Sequence, residues 1–597
     1  MAAIAVLTFL FLYPCLNNKF TNWDDPSYII QNDLVKSLSA SGLKHIFTTP
    51  SMGNYHPITI LLYAIEYHIA QLEPGLYHFD SLLLHIIVTL LVFWLVNLLT
   101  RRPIAAMVTA LLFALHPMHV EPVAWVSGRK ELLYSFFYLL SCISYVKFIR
   151  TKEAGLNKWY WACLGLFVCS LLSKPIAVTL PLVLLLIDFF ENGQITKKDL
   201  TSKIAHFFLA VCFGAAAYYI QSQSGALNVS SVNFGFLDRI ALSAYAFFSY
   251  LEKLIWPARL CNFYAYPARF NGSLPSWYFL YPLAIVAIVL VVYRYFRQNR
   301  VVVFGGLFFL VNIVLLLQLI PVGEAIMADR YTYLSYIGLF FVAGWLVSIA
   351  FEDEKSSTIR IAVGGLSVVI IAGLGFMSKN RCRIWYDSVT LWRDNLKQVP
   401  IGSQVVIDNL GAIYFDMWYN AKDKQERHKY FDSAYYLLRT SAEMWPDVVT
   451  PYQGLGMLYY SKKDFTSASL CFQKALQLNP TSEGYSNFGN FLEYLGKTDT
   501  AVMQYSKAIE LNPGGAYSAF INRGKIYRRN NHWAAAMKDF GEAIKINPTS
   551  GEPYYERSFC DTAIGLFPNA IQDIEIALAK GYNRIDSNYY NLLKGKK

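Results

Sequence analysis

What most constrains this chain is a series of long apolar runs, each bounded by Lys, Arg or Pro, that fills it as far as about Met377. A helix that crosses a bilayer needs about 20 apolar residues, because lipid offers its backbone no hydrogen-bonding partner. Runs of that order lie at 1–16, 81–100, 103–118, 131–149, 158–173, 175–190, 203–221, 276–297, 301–320, 331–350 and 359–377. They predict about eleven spans. Beyond Ser378 the sequence turns polar and periodic, so a membrane domain at 1–380 is expected, then a linker at 381–402 and a second domain at 403–597.

Composition supports this division. Hydrophobic residues make up 55% of the chain and charged ones 16%, too apolar a balance for a soluble protein of this length. A net charge of +11 would suggest nucleic acid in a soluble protein. Here Lys and Arg cluster at the ends of apolar runs, as topology signals do, and no nucleic-acid partner is expected. The nine cysteines are scattered without a CxxC pair, which indicates neither a disulfide framework nor a zinc site. Residues 1–16 lack a basic start and a small-residue cleavage site, and read as an uncleaved first span.

Basic groups mark alternate loops: Arg101 and Arg102; Lys147, Arg150, Lys152 and Lys158; Lys197, Lys198 and Lys203; Arg294, Arg297 and Arg300. The positive-inside rule places these in the cytoplasm. The opposite loops carry NWDDPSYI (Asn22 to Ile29), HPMHVEPVAWVSGRKELL (His116 to Leu133), SKP (Ser173 to Pro175) and GEAIMADRYTY (Gly323 to Tyr333), so their charged groups can meet on the outer face. Two amphipathic segments, His56 to Ala70 and Ala241 to Leu260, carry charges within apolar runs and read as helices lying at the interface.

In the polar region, prolines at Pro446, Pro480, Pro513 and Pro548 recur at about the 34-residue tetratricopeptide (TPR) period. Tyr452, Gly456, Tyr459, Ala468, Phe472 and Ala475 fit its internal pattern, and Tyr485, Gly489, Ala501, Tyr505 and Ala508 repeat it, as do Phe520, Gly524, Tyr527, Ala536, Phe540 and Ala543. An earlier copy starts at Leu410 with a charged insertion around Ala421 to Lys429, and a last one starts at Glu552. The expected fold is all-α: a polytopic membrane bundle followed by a TPR solenoid, whose concave groove is suited to capturing a protein or peptide.

Arg129, Lys130, Lys174 and Arg330 are candidate phosphate ligands, Arg as a planar fork and Lys as a point charge, with Arg129 and Arg330 the first choices. His116, His119 and Glu121 lie in a turn broken by Pro117 and Pro122 and are suited to orienting substrate. The same trio has metal-ligating chemistry, but no second motif supports a metal and no cofactor is assigned. Glu324 and Asp329 are further outer-face acids, fit to pair with Arg330 or to contact substrate. Asp24 and Asp25 follow the first apolar run, and one of them is a natural helix cap. The remaining histidines, His45, His56, His78 and His85, have no matching partner and read as structural.

Taken with the ordered motifs LLSKPIAVTLPLVLLLIDFF and YLEKLIWPARLCNFYAYP, these clusters and the C-terminal repeats resemble the transmembrane and tetratricopeptide repeat-containing (TMTC) mannosyltransferase family and its bacterial relatives. The resemblance covers nearly the whole chain. It implies a GT-C glycosyltransferase fold and inverting transfer of a sugar, mannose first, from a polyprenyl or dolichyl phosphate to Ser or Thr of a protein held in the TPR groove. It also gives the base role to a carboxylate of the first outer loop, Asp24 or Asp25. The implied location is a bacterial inner membrane, or the endoplasmic reticulum membrane in a eukaryote, with site and repeats on the non-cytoplasmic side. Two other functions fit the same motifs: an oligosaccharide ligase using a lipid pyrophosphate, and a non-catalytic membrane scaffold.

Overall fold

The computed structural model describes residues 1–151, 157–223, 234–267, 273–319, 323, 325–352, 357–398 and 403–595. The chain divides into two compact units, Met1–Val406 and Ile407–Lys597.

In the first unit, seven helices among the described residues are long and apolar enough to cross a membrane: Pro74–Thr100, Val126–Arg150, Pro175–Asn192, Ile204–Gln223, Ser276–Phe296, Asp329–Phe351 and Ser357–Ile384. An eighth candidate, Pro103–Leu115 with Pro117–Ala124, is bent by 61° where Pro117 removes a backbone donor. Three shorter apolar helices, Ala2–Asn17, Lys158–Ser173 and Arg300–Leu316, complete the match to the runs in the sequence. This is a multi-pass membrane protein. The Ser276–Phe296 and Ser357–Ile384 helices leave Leu283, Val286, Leu290, Val368 and Val369 exposed, as suits side chains facing lipid. Elsewhere the helices approach through small residues: a Cβ on Gly305 would strike the Gly338 carbonyl and one on Gly338 would strike that of Gly305.

Residues 381–398 correct an expectation. The polar composition there reads as a linker, yet the last spanning helix runs on to Ile384 and a further helix, Ser388–Gln398, folds onto the loop that holds Asn22 and Trp23. Trp392 stacks on Trp23 with centroids 4.8 Å apart and donates from Nε1 to Asn22 Oδ1 at 2.8 Å. Arg381 bonds Asp394 at 2.7 Å, and Trp385 and Leu391 are buried. A few apolar residues on one face of a polar segment are enough to dock it. Residues 399–402 lie outside the described ones.

The second unit is a run of helix pairs: Lys424–Met444 after Gln404–Asn420, then Val449–Ser461 with Phe465–Leu478, Ser482–Tyr494 with Thr498–Leu511, Tyr517–Arg529 with Trp533–Ile546, and Glu552–Ala563 with Phe567–Ala579. Ala468, Ala501, Ala536 and Ala570 are wholly buried between paired helices. A Cβ on Gly489 would lie 2.6 Å from the Tyr505 ring, and one on Gly524 2.7 Å from Phe540, so each glycine gives its partner ring room. The charged insertion is the lengthened start of the Lys424–Met444 helix, capped by Asp423. Ser587–Lys594 closes the last repeat, with Tyr589 stacked 4.4 Å from Phe559.

Candidate active site

The two adjacent aspartates have different surroundings. Asp25 is buried, and its carboxylate accepts four hydrogen bonds: from Thr21 N at 2.7 Å and Thr21 Oγ1 at 3.0 Å on one oxygen, and from Ser127 N at 3.0 Å and Ser127 Oγ at 2.5 Å on the other. Burial raises its pKa above the ordinary carboxylate value, and the bonds from Ser127 and Thr21 pull it back only in part. Every lone-pair direction is used, so Asp25 staples the loop after the first apolar helix to the turn before Arg129. Asp24 keeps 22% of its side chain accessible and lies 3.9 Å from Lys130 Nζ. Its backbone carbonyl starts the turn that follows, accepting from Ser27 N and Tyr28 N.

From Lys130, beside this carboxylate, two further cations follow through shared aromatic rings. Lys130 Nζ sits 4.5 Å from the Tyr28 centroid and 5.7 Å from that of Trp125. The Arg330 guanidinium lies 5.2 Å from the same Trp125 ring and 5.1 Å from Tyr331. Lys174 Nζ is 5.9 Å from Tyr331 and 5.7 Å from Tyr134. Lys130, Arg330 and Lys174 therefore form one chain of neighbours, brought together from the NWDDP-facing helix, the DRY turn and the SKP loop. Burial lowers the Lys174 pKa, with Lys130 and Arg330 adding to the effect, while its ion pair with Glu131 offsets it. Arg330 is aimed by Glu121, which accepts from its Nη1 and, at 2.9 Å, from its backbone N–H. All three cations keep 15–17% of their side chains accessible, so an anion can reach them.

Several sequence-based candidates lie elsewhere. Arg129, a first choice for phosphate, has no accessible surface; it pairs with Glu66, bonds Tyr77 O and Ser81 Oγ, and lies over the Tyr63 ring. Successive helical residues point about 100° apart, so Lys130 faces the accessible side while Arg129 faces the core. His116 and His119 are buried in the bent span, spaced 3.2 Å from Leu254 O and 2.8 Å from Phe113 O, and their rings pack on Tyr336, Phe340 and Tyr333. They shape the break and do not reach the accessible groups. Asp329 is buried and accepts from Tyr264 OH at 2.7 Å. Glu121 orients Arg330 and does not open to substrate. Glu324 lies outside the described residues. Among the described residues no three His, Cys, Asp or Glu side chains are placed to hold a metal ion.

Sequence reasoning missed Tyr28, Trp125, Tyr331 and Glu131, although each stands inside a quoted motif. Their signal was adjacency to the charges. What was absent from the sequence was the direction each side chain takes once the turns are built.

The membrane half thus carries an acid beside Lys130, the first of three linked and reachable cations, ahead of a repeat array in the sequence. Models of the tetratricopeptide repeat match residues 450–482, 482–514 and 517–550. Human protein O-mannosyl-transferase TMTC3 is 23% identical over 90% of this chain and 59% of its own length. The chain is thus similar in sequence, over most of its length, to a protein named as a protein O-mannosyl-transferase. Xenopus laevis protein O-mannosyl-transferase tmtc2 is 33% identical over 27% of this chain and 20% of itself, and Drosophila melanogaster protein O-mannosyl-transferase Tmtc2 is 35% identical over 26% and 17%. The chain therefore spans less than two thirds of the length of each of these proteins.

Proposed function

We propose that this protein is a membrane protein O-glycosyltransferase that moves a sugar, mannose by its kinship, from a polyprenyl or dolichyl phosphate to a Ser or Thr hydroxyl of a protein. The observation that carries this reading is the accessible Asp24 carboxylate 3.9 Å from Lys130, with Lys174 and Arg330 as the next cations. Asp24 is the general base: it takes the proton as the acceptor oxygen attacks the anomeric carbon, which inverts. As that bond forms, the bond from sugar to phosphate breaks and its electron pair stays on the phosphate oxygen. Lys130, Lys174 and Arg330 bind the phosphate and stabilise the charge that develops there. Lysines suit this as strongly hydrated point charges, and Arg330 adds a fork already oriented by Glu121.

The TPR array supplies a concave surface for an acceptor, so remote binding can add to the weak hold of one hydroxyl. The site and the repeats lie on the non-cytoplasmic side, as the distribution of Lys and Arg among the short loops supports. The test is direct. Purified full-length protein in nanodiscs, given radiolabelled mannosyl phosphoryl polyprenol and membrane proteins from a strain lacking the gene, should label Ser or Thr. Mass spectrometry of envelope or secretory proteins with and without the gene should lose the same hexose. Donor consumption with no labelled protein would rule out the acceptor class, and no consumption would rule out the reaction.

A further inference from the structure

His56 stands apart from the groups used so far. It precedes the Pro57–Ala70 helix, is 4% exposed, and its side chain makes no capping bond to that helix. Its Nε2 is buried with no hydrogen-bond partner. A buried polar atom left unpaired is costly, so such an atom beside a binding site is a place where ligand completes the set.

The helix that His56 begins grips both lysine-bearing segments. Thr59 Oγ1 donates to Ser173 O at 3.0 Å, one residue before Lys174. Tyr63 OH donates to Val126 O at 2.8 Å, in the turn that leads to Lys130. The His56 ring packs on Tyr28 with centroids 5.3 Å apart, the same ring that carries Lys130 Nζ. The imidazole is therefore a neighbour of Lys130 across the Tyr28 ring, and its helix is tied to the residue before Lys174. Burial, then the charges of Lys130 and Lys174, depress its pKa from the ordinary 6.5 to about 3, so the ring is neutral and offers an N–H without adding a third positive charge to the pair.

We infer that His56 is a phosphate-binding residue, its Nε2–H donating to a phosphate oxygen of the lipid-linked donor held by Lys130 and Lys174. The inference rests on the proposed reaction and extends its phosphate site to a residue of the first outer loop.

Binding of undecaprenyl phosphate to the full-length protein in nanodiscs tests it, with inorganic phosphate as competitor. His56→Ala should weaken binding about tenfold or more, the loss expected for a hydrogen bond to a charged group. His56→Asn, whose amide stops short of the Nε2 position, should do the same, which provides a second loss variant if the alanine form does not fold. His56→Gln, whose amide nitrogen reaches that position, should stay within about threefold of wild type. Inorganic phosphate should compete less well against the Ala and Asn forms by a similar factor. Unchanged affinity in folded His56→Asn, alongside a clear loss in Lys130→Ala, would overturn the role of His56 and leave the phosphate site standing. A His56 effect on the lipid with none on inorganic phosphate would assign the ring to another part of the donor and also overturn it. Wild-type protein that binds no undecaprenyl phosphate would overturn the site itself and this inference with it.

Discussion

Replacing each aspartate of the NWDDP motif with asparagine separates proton transfer from architecture. Asp24→Asn keeps the size of the side chain and leaves untouched the backbone carbonyl that accepts from Ser27 and Tyr28. It removes a group able to take a proton, and loss of a general base lowers turnover by about 100- to 10,000-fold. Because the Asp24 side chain is partly exposed and its one ion pair is long, stability should change by less than about 1 kcal/mol. Asp25→Asn acts differently. An amide oxygen can still accept from one of the two donor pairs, Thr21 or Ser127, but the amide N–H₂ then faces the other pair. One hydroxyl can turn to accept, and one backbone N–H is left buried and unpaired, at about 1–3 kcal/mol. The assay measures mannosyl transfer under saturating donor and acceptor, binding of undecaprenyl phosphate, and thermal unfolding in detergent. Asp24→Asn should be inactive, stable and able to bind lipid phosphate, while Asp25→Asn should unfold earlier and lose activity in proportion to folded protein. Near wild-type transfer by a folded Asp24→Asn protein would refute the base assignment, and a fully stable but inactive Asp25→Asn would move the role to its neighbour.

Arg129→Ala should fail to give folded protein, since it leaves Glu66 buried without its partner at a cost of about 3–5 kcal/mol, whereas Lys130→Ala should fold and lose lipid-phosphate binding; detergent-resistant monodispersity and the binding assay distinguish them. Stability should also follow pH through His56. Its lowered pKa means that the unfolded chain binds the proton first, so stability present above pH 6.5 is lost as pH falls toward 3, by up to about 2 kcal/mol between pH 6.5 and 5. Asp25 has the opposite sign, its raised pKa favouring the fold at low pH, so the diagnostic is the difference between wild type and His56→Gln in thermal unfolding at pH 7.5 and 5, where the variant should show the smaller acid loss. Removing residues 407–597 should leave lipid-phosphate binding intact and abolish transfer to proteins; normal protein labelling by the truncated form would leave the repeats as scaffold. Reporter fusions after residues 125, 325 and 450 should all report the non-cytoplasmic side, and a cytoplasmic signal from one of them would break the placement.

The sequence by itself determined the architecture. Eleven apolar runs are legible because lipid forces every backbone group into a helix, which makes span length a property of composition alone. The repeats are legible because each packs on its neighbour through the same small and large residues, as Gly489 under Tyr505 and Gly524 under Phe540 show. It also named the charged clusters that meet in the fold. Tertiary structure alone decided which member of each cluster faces outward. Asp25 and Asp24 are adjacent in sequence, as are Arg129 and Lys130, yet in each pair one is consumed by buried partners and the other stays accessible. Composition cannot separate such neighbours, because the choice rests on a turn of about 100° per helical residue and on partners such as Ser127 and Glu66, which are about 100 and 60 residues away along the chain. For the same reason His56 comes to lie against the Tyr28 ring that carries Lys130: the contacts of its helix, Thr59 to Ser173 and Tyr63 to Val126, join segments that only the fold brings together.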